Sequence, residues 1–285
     1  MFEARSYVES TKSDLYEQLC VSLNQRFGED NTFNQYQDNP VGFGEEILGE
    51  IFTDEVKTLM GSVRDYPITI ARSSNAVGKT HAAARVAVWF YKVFKDSQVY
   101  TAAASPESNL KKLLWGEVGS VIEKHPGLFK SDTLTNLHVA RAAQQFITGV
   151  TIPMAGTESQ REAKFSGKHS KYLLFLLDEA DAIPSEVFKG IESCMTGGHA
   201  RLLVMFNPRA EVGAAYRMIR EGRANVVQLS AFNHPNVTTG RDQIPGAVTR
   251  ETTVRRINEW TRPLANGEPV DGECFELPSF LEGCT

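Results

Sequence analysis

The chain has 285 residues, of which 35 are acidic and 30 are basic, giving a formal net charge of −5. Hydrophobic residues make up 41% and charged residues 23%, which is ordinary globular usage and excludes a disordered or fibrous protein. No run of about 18 apolar residues predicts a membrane span, and no apolar signal core stands near the N-terminus. The mild acidity argues against a protein that simply coats nucleic acid, which would normally be basic.

The cysteines indicate a reduced, cytoplasmic setting. Cys20, Cys194, Cys274 and Cys284 are scattered and form no C-x-x-C pair. This spacing argues against both a zinc site and a disulfide framework.

The first part of the chain predicts helices. Residues 1–38 form an N-terminal extension with a helix from Leu15 to Phe27, where apolar residues recur at helical spacing. A second helix is predicted from Glu45 to Val63. Thr53-Asp54 either breaks this helix or caps a new one within it.

From Pro67 onward, strands alternate with helices, which predicts an α/β fold with a mainly parallel sheet. The run Leu173 to Leu177 is apolar throughout and fits a strand buried on both faces. The predicted elements are a strand at 68–71, a helix at 80–94, a strand at 98–103, a helix at 106–124, two or three short strands within 134–155, the strand at 173–177, a helix at 185–195, strands at 202–206 and 226–229, and a helix at 249–260.

The connection after the first strand predicts a phosphate-binding loop. It comprises Ser73, Ser74, Asn75, Ala76, Val77, Gly78, Lys79 and Thr80. This S-x-x-x-x-G-K-T string differs from the usual G-x-x-x-x-G-K-[ST] pattern only at Ser73. Backbone N–H groups and the helix N-terminus would hold phosphates, Lys79 would reach the β- and γ-phosphates, and Thr80 would ligate Mg²⁺. The alternative is an ordinary strand–turn–helix connection that happens to contain G-K-T.

Two adjacent acids follow the apolar strand at 173–177. We expect Asp178 to hold Mg²⁺ and Glu179 to polarise the attacking water as a general base. Buried acids at a strand end are costly unless a metal ion or hydrogen-bond donors compensate them. The alternative is a solvated acidic turn, since Asp181 is also near. Together with the glycine-containing loop, this pair indicates hydrolysis of a nucleoside triphosphate.

A polar amide ends the strand at 202–206. Asn207 could contact the γ-phosphate or the attacking water, although Asn207-Pro208 by itself is typical of a turn.

With these motifs together, the sequence resembles the ATPase domain of the large terminase subunit, the DNA-packaging motor of tailed bacteriophages. The resemblance begins near Asn39 and covers most of the chain from there. It rests on ITIARSSNAVGKT (68–80), VYTAAASPESNLKKLLWGEV (99–118), KFSGKHSKYLLFLLDEADAIP (164–184), LLVMFNPR (202–209) and SAFNHPNV (230–237).

The resemblance implies a RecA-like additional-strand (ASCE) P-loop ATPase core that uses ATP and Mg²⁺. In such a core the Asn207 strand lies between the strands that precede Lys79 and Asp178. Asn207 then matches the position that couples hydrolysis to movement, with Asp178 as the metal-site acid and Glu179 as the catalytic acid. The family usually has a glutamine upstream near the adenine site, where this chain has Glu55-Val56-Lys57.

The resemblance also implies an arginine that stabilises charge in the transition state. Arg161, placed on the loop before the 173–177 strand, is the candidate that would reach a neighbouring subunit. Arg72, at the start of the phosphate loop, is the competing candidate within its own subunit. The alternative for Arg161 is a solvated surface charge.

DNA contact is assigned to two local basic runs. Phosphate contacts require only Lys and Arg, and a motor that moves along any sequence should read the backbone. The candidate DNA-contacting residues are Lys164, Lys168, Lys171, Lys111 and Lys112.

The resemblance divides the chain into the extension at 1–38, the ATPase core at 39–236, and a lid or linker at 237–285 that leads towards an absent nuclease domain. The expected partners are double-stranded DNA, the portal protein, the small terminase subunit and further copies in a ring, a pentamer, on the procapsid, with no membrane. The expected location is the cytoplasm of the infected bacterium. We expect ATP hydrolysis without DNA cleavage.

Two other functions stay open. Residues 178–181 spell Asp-Glu-Ala-Asp, the signature of the DEAD-box RNA helicases, but the 104 residues after Asp181 are too few for a second RecA-like domain. A nucleotide-binding assembly protein that does not hydrolyse ATP is the remaining alternative.

Overall fold

The computed structural model describes residues 33–104, 110–153, 155–272 and 274–283. The helix predicted at 15–27 lies outside these residues. The strands are β1 (Ile68–Ser73), β2 (Ser97–Ala103), β3 (Thr133–Thr135), β4 (His138–Ala142), β5 (Gln145–Gly149), β6 (Tyr172–Asp178), β7 (His199–Phe206) and β8 (Asn225–Leu229). Besides the single α-helical turn Pro40–Gly42, the α-helices are α1 (Asp54–Asp65), α2 (Lys79–Val93), α3 (Trp115–Lys124), α4 (Glu158–Phe165), α5 (Ser185–Cys194), α6 (Ala214–Arg220), α7 (Pro235–Thr239) and α8 (Arg250–Trp260).

The eight strands form one sheet in the order β3-β4-β5-β2-β6-β7-β1-β8. The six strands β5-β2-β6-β7-β1-β8 pair in parallel with their neighbours in the sheet. Strand β4 pairs antiparallel to both β3 and β5. Strand β7 lies between β6 and β1, as the resemblance implies for the strand that ends before Asn207. The predicted mainly parallel α/β sheet is therefore confirmed.

The sheet is buried on both faces, because its central strands are largely apolar on both sides. In β6, Leu174 and Leu176 belong to the core under α1, α2 and α3. Leu173, Phe175 and Leu177 belong to the opposite core, which α4, α5 and α6 cover. Because β6, β7, β1 and β8 pair in parallel, their carboxyl ends lie side by side at one edge of the sheet.

The segment predicted as a helix from 45 to 63 consists of two pieces. A π-helical turn (Phe43–Ile47) is followed by an irregular stretch, and α1 then begins after Thr53. The Thr53 side chain accepts a hydrogen bond from Val56 N at 3.3 Å, so the capping interpretation of Thr53-Asp54 is confirmed.

Three helices are absent from the sequence-based prediction, namely α4, α6 and the short α7. Arg161 lies on α4, so its placement on a loop was wrong. The physical reason is a capping box, in which the Thr157 side chain accepts from Gln160 N and the Gln160 side chain accepts from Thr157 N. The T-x-x-Q spacing could have revealed this helix start.

In the part of the chain that the structure covers, no helix is both long and apolar enough to cross a membrane.

Candidate functional site

The connection between β1 and α2 has the backbone geometry of an anion-binding nest. Ala76 has φ +58° and Gly78 has φ +89°, so left-handed residues alternate within the turn. A Cβ placed on Gly78 would meet only Val56 Cγ2 at 3.9 Å. The glycine is therefore required for its backbone conformation and not for space.

Hydrogen bonds to neighbouring segments hold this loop in place. Ser74 N donates to Leu229 O at 2.9 Å, and Ser74 Oγ accepts from Ala231 N at 3.1 Å. Ala76 O accepts from Val248 N at 2.8 Å. The end of β8 and the segment before α8 thus fix the loop from the side away from α2.

Lys79, at the first turn of α2, joins side chains from two other strand ends. Its Nζ donates to Glu179 Oε1 at 2.8 Å and also to Asn207 Oδ1. The Lys79 side chain is 11% exposed and that of Glu179 is 24% exposed. The ammonium is thereby held at the mouth of the loop, where a phosphate would lie.

Asp178 and Thr80 form a second contact at the same edge. Thr80 Oγ1 donates to Asp178 Oδ2 at 3.2 Å, and Glu179 N donates to Asp178 Oδ1 at 2.9 Å. Asp178 is only 2% exposed. Burial raises the pKa of its carboxyl group above the ordinary value, although the charge of Lys79 and these two hydrogen bonds oppose the rise.

Glu179 is held in a left-handed conformation, with φ +49° and ψ +43°. Such a conformation is uncommon for a non-glycine residue and costs on the order of 1 kcal/mol. It turns the chain sharply out of β6, so that the side chains of Asp178 and Glu179 reach Thr80 and Lys79 respectively.

Asn207 contacts the connection between β1 and α2 at two places. Its Oδ1 accepts from Lys79, and its Nδ2 donates to Asn75 Oδ1. The amide at the end of β7 therefore contacts both the first and the second half of the loop.

The oxygen atoms at this edge fit Mg²⁺. The Thr80 hydroxyl and the Asp178 carboxylate are hard ligands, and the buried carboxylate lacks a full positive partner of its own. Within the described ranges no group of three or more His, Cys, Asp and Glu could hold a metal ion. Mg²⁺ commonly takes one or two protein carboxylates and fills its remaining positions with substrate phosphates and water.

The two candidate arginines have different surroundings. Arg72, near the end of β1, makes no side-chain hydrogen bond or ion pair with any residue that the structure describes. Arg161 Nη1 donates to Gly156 O at 2.6 Å, and Arg161 Nε lies 3.7 Å from Glu186 Oε2. Arg161 is thus engaged within its own chain.

The five lysines assigned to DNA do not form one surface patch. Lys111 and Lys112 are exposed on the π-helical turn that precedes α3, after the end of β2. Lys171 immediately precedes β6 and therefore lies at the opposite edge of the sheet. Lys164 is exposed on α4, and Lys168 Nζ lies 5.3 Å from the centre of the Tyr100 ring.

Two segments that carry the resemblance organise local structure. Asn236 Oδ1 accepts from Gln243 N and Ile244 N, both at 2.9 Å, and so closes the turn after α7. Ser170 Oγ donates to Asp96 O at 2.8 Å. The H-P-N and S-G-x-H-S strings therefore support the fold in the described residues.

Sequence reasoning missed a contact between the loops that follow Glu179 and Asn207. Arg209 Nε lies 3.9 Å from Asp181 Oδ2 and joins the loop after β7 to the loop after β6. Asp181 stands two positions after Glu179, and Arg209 stands two positions after Asn207. These matching positions, with opposite charges, could have suggested the contact. It also missed the role of Glu55, which accepts from Ser230 N and Asn233 Nδ2, both at 2.8 Å.

Comparison with known proteins finds one curated relative of clear similarity. Over 151 residues the chain is 23% identical to the probable terminase large subunit of Enterobacteria phage P7, a match that covers 52% of this chain and 30% of the relative. The chain thus spans about a third of the relative's length. No family model matches the chain.

Solved structures of phage large terminases share the fold. The ATPase domain of the Thermus phage P74-26 large terminase superposes with a TM-score of 0.55 at 16% identity, covering 78% of this chain and 93% of that one. The large terminase of a thermophilic bacteriophage, in complex with ADP, gives 0.53 at 10% identity over 74% of this chain and 51% of that one. The HK97 bacteriophage large terminase gives 0.53 at 12% identity over 74% and 47%.

Proposed function

Because this chain has the fold of phage large terminase ATPase domains and is similar in sequence to a terminase large subunit, we propose that it is an ATP-driven motor domain for packaging viral DNA. The reaction is hydrolysis of ATP to ADP and phosphate. The released free energy moves double-stranded DNA into a procapsid.

One observation carries this proposal. Lys79, Thr80, Asp178, Glu179 and Asn207 come from three separate parts of the sequence and converge at the carboxyl edge of three adjacent strands. A cation at the phosphate loop, a buried acid beside a hydroxyl and a second, more exposed acid are the parts that phosphoryl transfer to water requires.

The role of each side chain follows from its contacts. In the structure Lys79 is occupied by Glu179 and Asn207. The oxygens of a bound triphosphate would compete for the Lys79 ammonium and free the Glu179 carboxylate. Glu179 would then accept a proton from the attacking water. Asn207, which contacts Lys79 and Asn75 and directly follows β7, would move with the loop and so couple nucleotide binding to β7.

Mg²⁺ would be held by Thr80 and Asp178 together with the phosphates, and would neutralise charge that develops on them. Burial of Asp178 favours this role, because the carboxylate gains most from a cation where it is least hydrated.

The experiment is DNA-stimulated ATP hydrolysis by the wild type and by Glu179→Gln. Loss of a general base should lower kcat by about 10²–10⁴-fold while nucleotide binding persists. Glu123→Gln, at an exposed position on α3, is the matched control and should behave as wild type. Normal turnover by Glu179→Gln would rule out the role given to Glu179.

ATP turnover separates the first alternative, and a strand-separation assay on duplex DNA separates the second. A nucleotide-binding assembly protein would bind ATP and show no turnover in any variant. A helicase would separate the strands of a duplex, whereas a packaging motor would move along it intact. The family likeness favours the motor.

The arginine that stabilises the transition state is proposed to be Arg161 from a neighbouring copy or Arg72 from the same copy. Mixing Arg161→Ala with Glu179→Gln subunits distinguishes them. Activity returns in the mixture if Arg161 serves a neighbour, because some sites then combine an intact Glu179 with an intact Arg161. A mixture that stays inactive contradicts a role between subunits.

The remaining assignments are proposals of the same kind. The partners are double-stranded DNA through Lys111, Lys112, Lys164, Lys168 and Lys171, the portal protein, the small terminase subunit and further copies in a pentameric ring. The motor core spans 39–236, with a lid or linker at 237–285. The site of action is the host cytoplasm, and this chain should not cleave DNA.

A further inference from the structure

Glu55, in the first turn of α1, contacts the turn that follows β8. Its Oε2 accepts a hydrogen bond from Ser230 N and its Oε1 accepts one from Asn233 Nδ2, both at 2.8 Å. These two partners lie 175 and 178 positions further along the chain. Glu55 therefore joins the helix that precedes β1 to the turn Ala231–Asn233, at the β8 edge of the sheet.

The Glu55 carboxylate is half-buried and is held by neutral donors. Burial raises the pKa of this carboxyl group above its ordinary value, and the hydrogen bonds from Asn233 and Ser230 only partly oppose the rise. Within the described residues no ion pair joins Glu55 to a cation. Burying a charge without a partner of opposite charge is costly, so stability alone does not favour an acid at this position. Residues that carry such a cost are expected where they serve function.

The turn that Glu55 holds also holds the phosphate loop. Ala231, the residue after Ser230, donates its N–H to Ser74 Oγ at 3.1 Å, and Ser74 N donates to Leu229 O at 2.9 Å. Two successive backbone N–H groups thus bind different elements, that of Ser230 binding α1 and that of Ala231 binding the loop. Because peptide units are planar and rigid, a shift at Ser230 moves the group that holds Ser74.

The neighbouring residue of α1 supports the loop directly. Val56 is 4% exposed, and its Cγ2 lies 3.9 Å from the position of a Cβ built on Gly78. Val56 and Val77 also belong to the same apolar core. The first turn of α1 therefore lies against the loop near Gly78 and reaches the Ser74 end of the loop through the turn after β8.

We propose that Glu55 is a positioning residue for nucleotide binding, which acts through the turn after β8 to hold Ser74 and the phosphate loop ready for phosphates; this inference rests on the proposed function. A loop whose N–H groups already point at the ligand binds more tightly, because less conformational freedom is lost on binding. In this role the Glu55 carboxylate contacts no part of the nucleotide, and its effect falls on the phosphates alone.

Affinities for inorganic tripolyphosphate and for ADP, measured by calorimetry, test the proposal. Glu55→Ala removes both hydrogen bonds to the turn and should weaken both ligands by the same factor, about 10-fold, the effect of one lost hydrogen bond to a charged group. KM for ATP should rise by a similar factor with little change in kcat, because bound phosphates restore the loop. A purely structural role would instead lower the temperature of unfolding and leave both affinities as they are.

Two variants in the same turn of α1 provide controls. Asp54→Ala removes the adjacent carboxylate, which is exposed and makes no side-chain hydrogen bond in the part of the chain that the structure describes, and it should bind both ligands as the wild type does. Glu55→Gln should keep most of the wild-type affinity. Its amide oxygen can accept from Ser230 N, and its amide N–H can donate to Asn233 once the exposed Asn233 side chain turns over.

Two further variants test the path through the turn. Asn233→Ala removes one donor at an exposed position, so it tests the contact even if Glu55→Ala does not fold, and it should weaken both ligands by about 3-fold. Ser74→Ala removes the hydroxyl that accepts from Ala231 N. Because Glu55 and Ser74 act in series, the double variant should bind no more weakly than the weaker of the two single variants.

Several outcomes would overturn the proposal. If Glu55→Ala and Asn233→Ala bind tripolyphosphate and ADP as the wild type does while the wild type hydrolyses ATP, Glu55 does not position the loop and the proposed function stands. If Glu55→Ala weakens ADP alone, the residue acts on the base or ribose and not on the phosphate loop. An equal loss in Asp54→Ala would assign the effect to charge at the helix start.

The double variant and the wild type supply the remaining tests. Additive losses in Glu55→Ala combined with Ser74→Ala would show that the two residues act separately, which contradicts the path through the turn. If the wild type binds neither tripolyphosphate nor ADP and does not hydrolyse ATP, the proposed function fails and the role of Glu55 fails with it.

Discussion

Helix α2 carries two clusters of charged side chains, one at its first turn and one less than two turns further along. In the first, Lys79 meets Glu179 and Asn207 beside Asp178. In the second, Arg85 meets Glu50 and Glu117, with His81 Nε2 at 3.3 Å from Glu50 Oε2. Each has one cation and two nearby carboxylates, yet their surroundings differ.

The Arg85 cluster is closed and internally satisfied. Arg85 is 1% exposed, and its Nε and Nη2 donate to Glu50 Oε1 at 2.9 and 2.6 Å. Burial alone would raise the pKa of Glu50, but hydrogen bonds and charge from His81 and Arg85 lower it to about 2. This cluster stabilises the fold, because its cation is enclosed by its own carboxylate partners.

The Lys79 cluster is more exposed to solvent, and several of its groups are in energetically unfavourable states. Asp178 has a raised pKa, Glu179 has a left-handed backbone, and Ser73 has a hydroxyl unpaired among the described residues. Strained and partly satisfied groups persist where a ligand relieves them. The two clusters therefore differ in how fully their charges are paired, and not in the number of charges.

The largest difference is expected when each cation is replaced by methionine. Arg85→Met leaves two carboxylates facing an apolar group and should lower the free energy of unfolding by about 3–5 kcal/mol. Lys79→Met should lower it by less, about 1–2 kcal/mol, because Glu179 can turn towards water and the buried Asp178 keeps its hydrogen bonds from Thr80 Oγ1 and Glu179 N, while ATP hydrolysis is lost. Urea denaturation and ATPase assays measure both. Equal losses of stability in Arg85→Met and Lys79→Met would contradict the conclusion that only the Arg85 cluster stabilises the fold.

The pH dependence of stability in Glu50→Gln tests whether the Arg85 cluster stabilises the fold. The folded-state pKa of Glu50, about 2, lies below its ordinary value of 4.5. The stabilisation is therefore present above about pH 4.5 and is lost as the pH falls towards 2. At pH 7 the variant should be less stable by on the order of 2 kcal/mol, and the difference should shrink on acidification. A difference independent of pH would contradict the assignment.

Asp178→Asn should act in the opposite direction. The folded-state pKa of Asp178 is raised, so its ionised form costs stability above that pKa, and the cost disappears as the pH falls below the unfolded value. Removing the charge should leave stability at pH 7 unchanged or raise it by about 1 kcal/mol, while ATP hydrolysis falls. A large loss of stability would place Asp178 among the structural charges.

The smallest effect concerns two glycines. Gly78→Ala forces a side chain onto φ +89° and should cost about 1 kcal/mol, with further loss of nucleotide affinity. Gly119→Ala, inside α3 with no atom within 4 Å of an added Cβ, should stabilise by about 0.5–1 kcal/mol. Thermal unfolding compares them directly. A Gly78→Ala variant as stable as the wild type would show that the loop relaxes.

Much of the site could be predicted because its residues stand at strand ends. Short local patterns identified the G-K-T string, the two acids after the apolar strand, and Asn207 at the end of another strand. The shared edge of a parallel sheet then brought them together. Their order along the chain, combined with the resemblance, was enough to place β7 between β6 and β1.

The rest depended on contacts that no local pattern contains. Arg85 occurs in a helix whose sequence is apolar nearly all round, and its partners are 35 and 32 residues away. Helix α4 was missed because its capping box was overlooked.

We propose hydrolysis of a bound nucleotide as the role of the Lys79 cluster. A crystal structure with Mg²⁺ and a non-hydrolysable ATP analogue tests it most directly. We expect phosphate oxygens on Lys79 Nζ, the metal on Thr80 Oγ1 and Asp178, and a Glu179 carboxylate released from Lys79 towards the γ-phosphate. Phosphates bound elsewhere, with the ion pair between Lys79 and Glu179 intact, would contradict it.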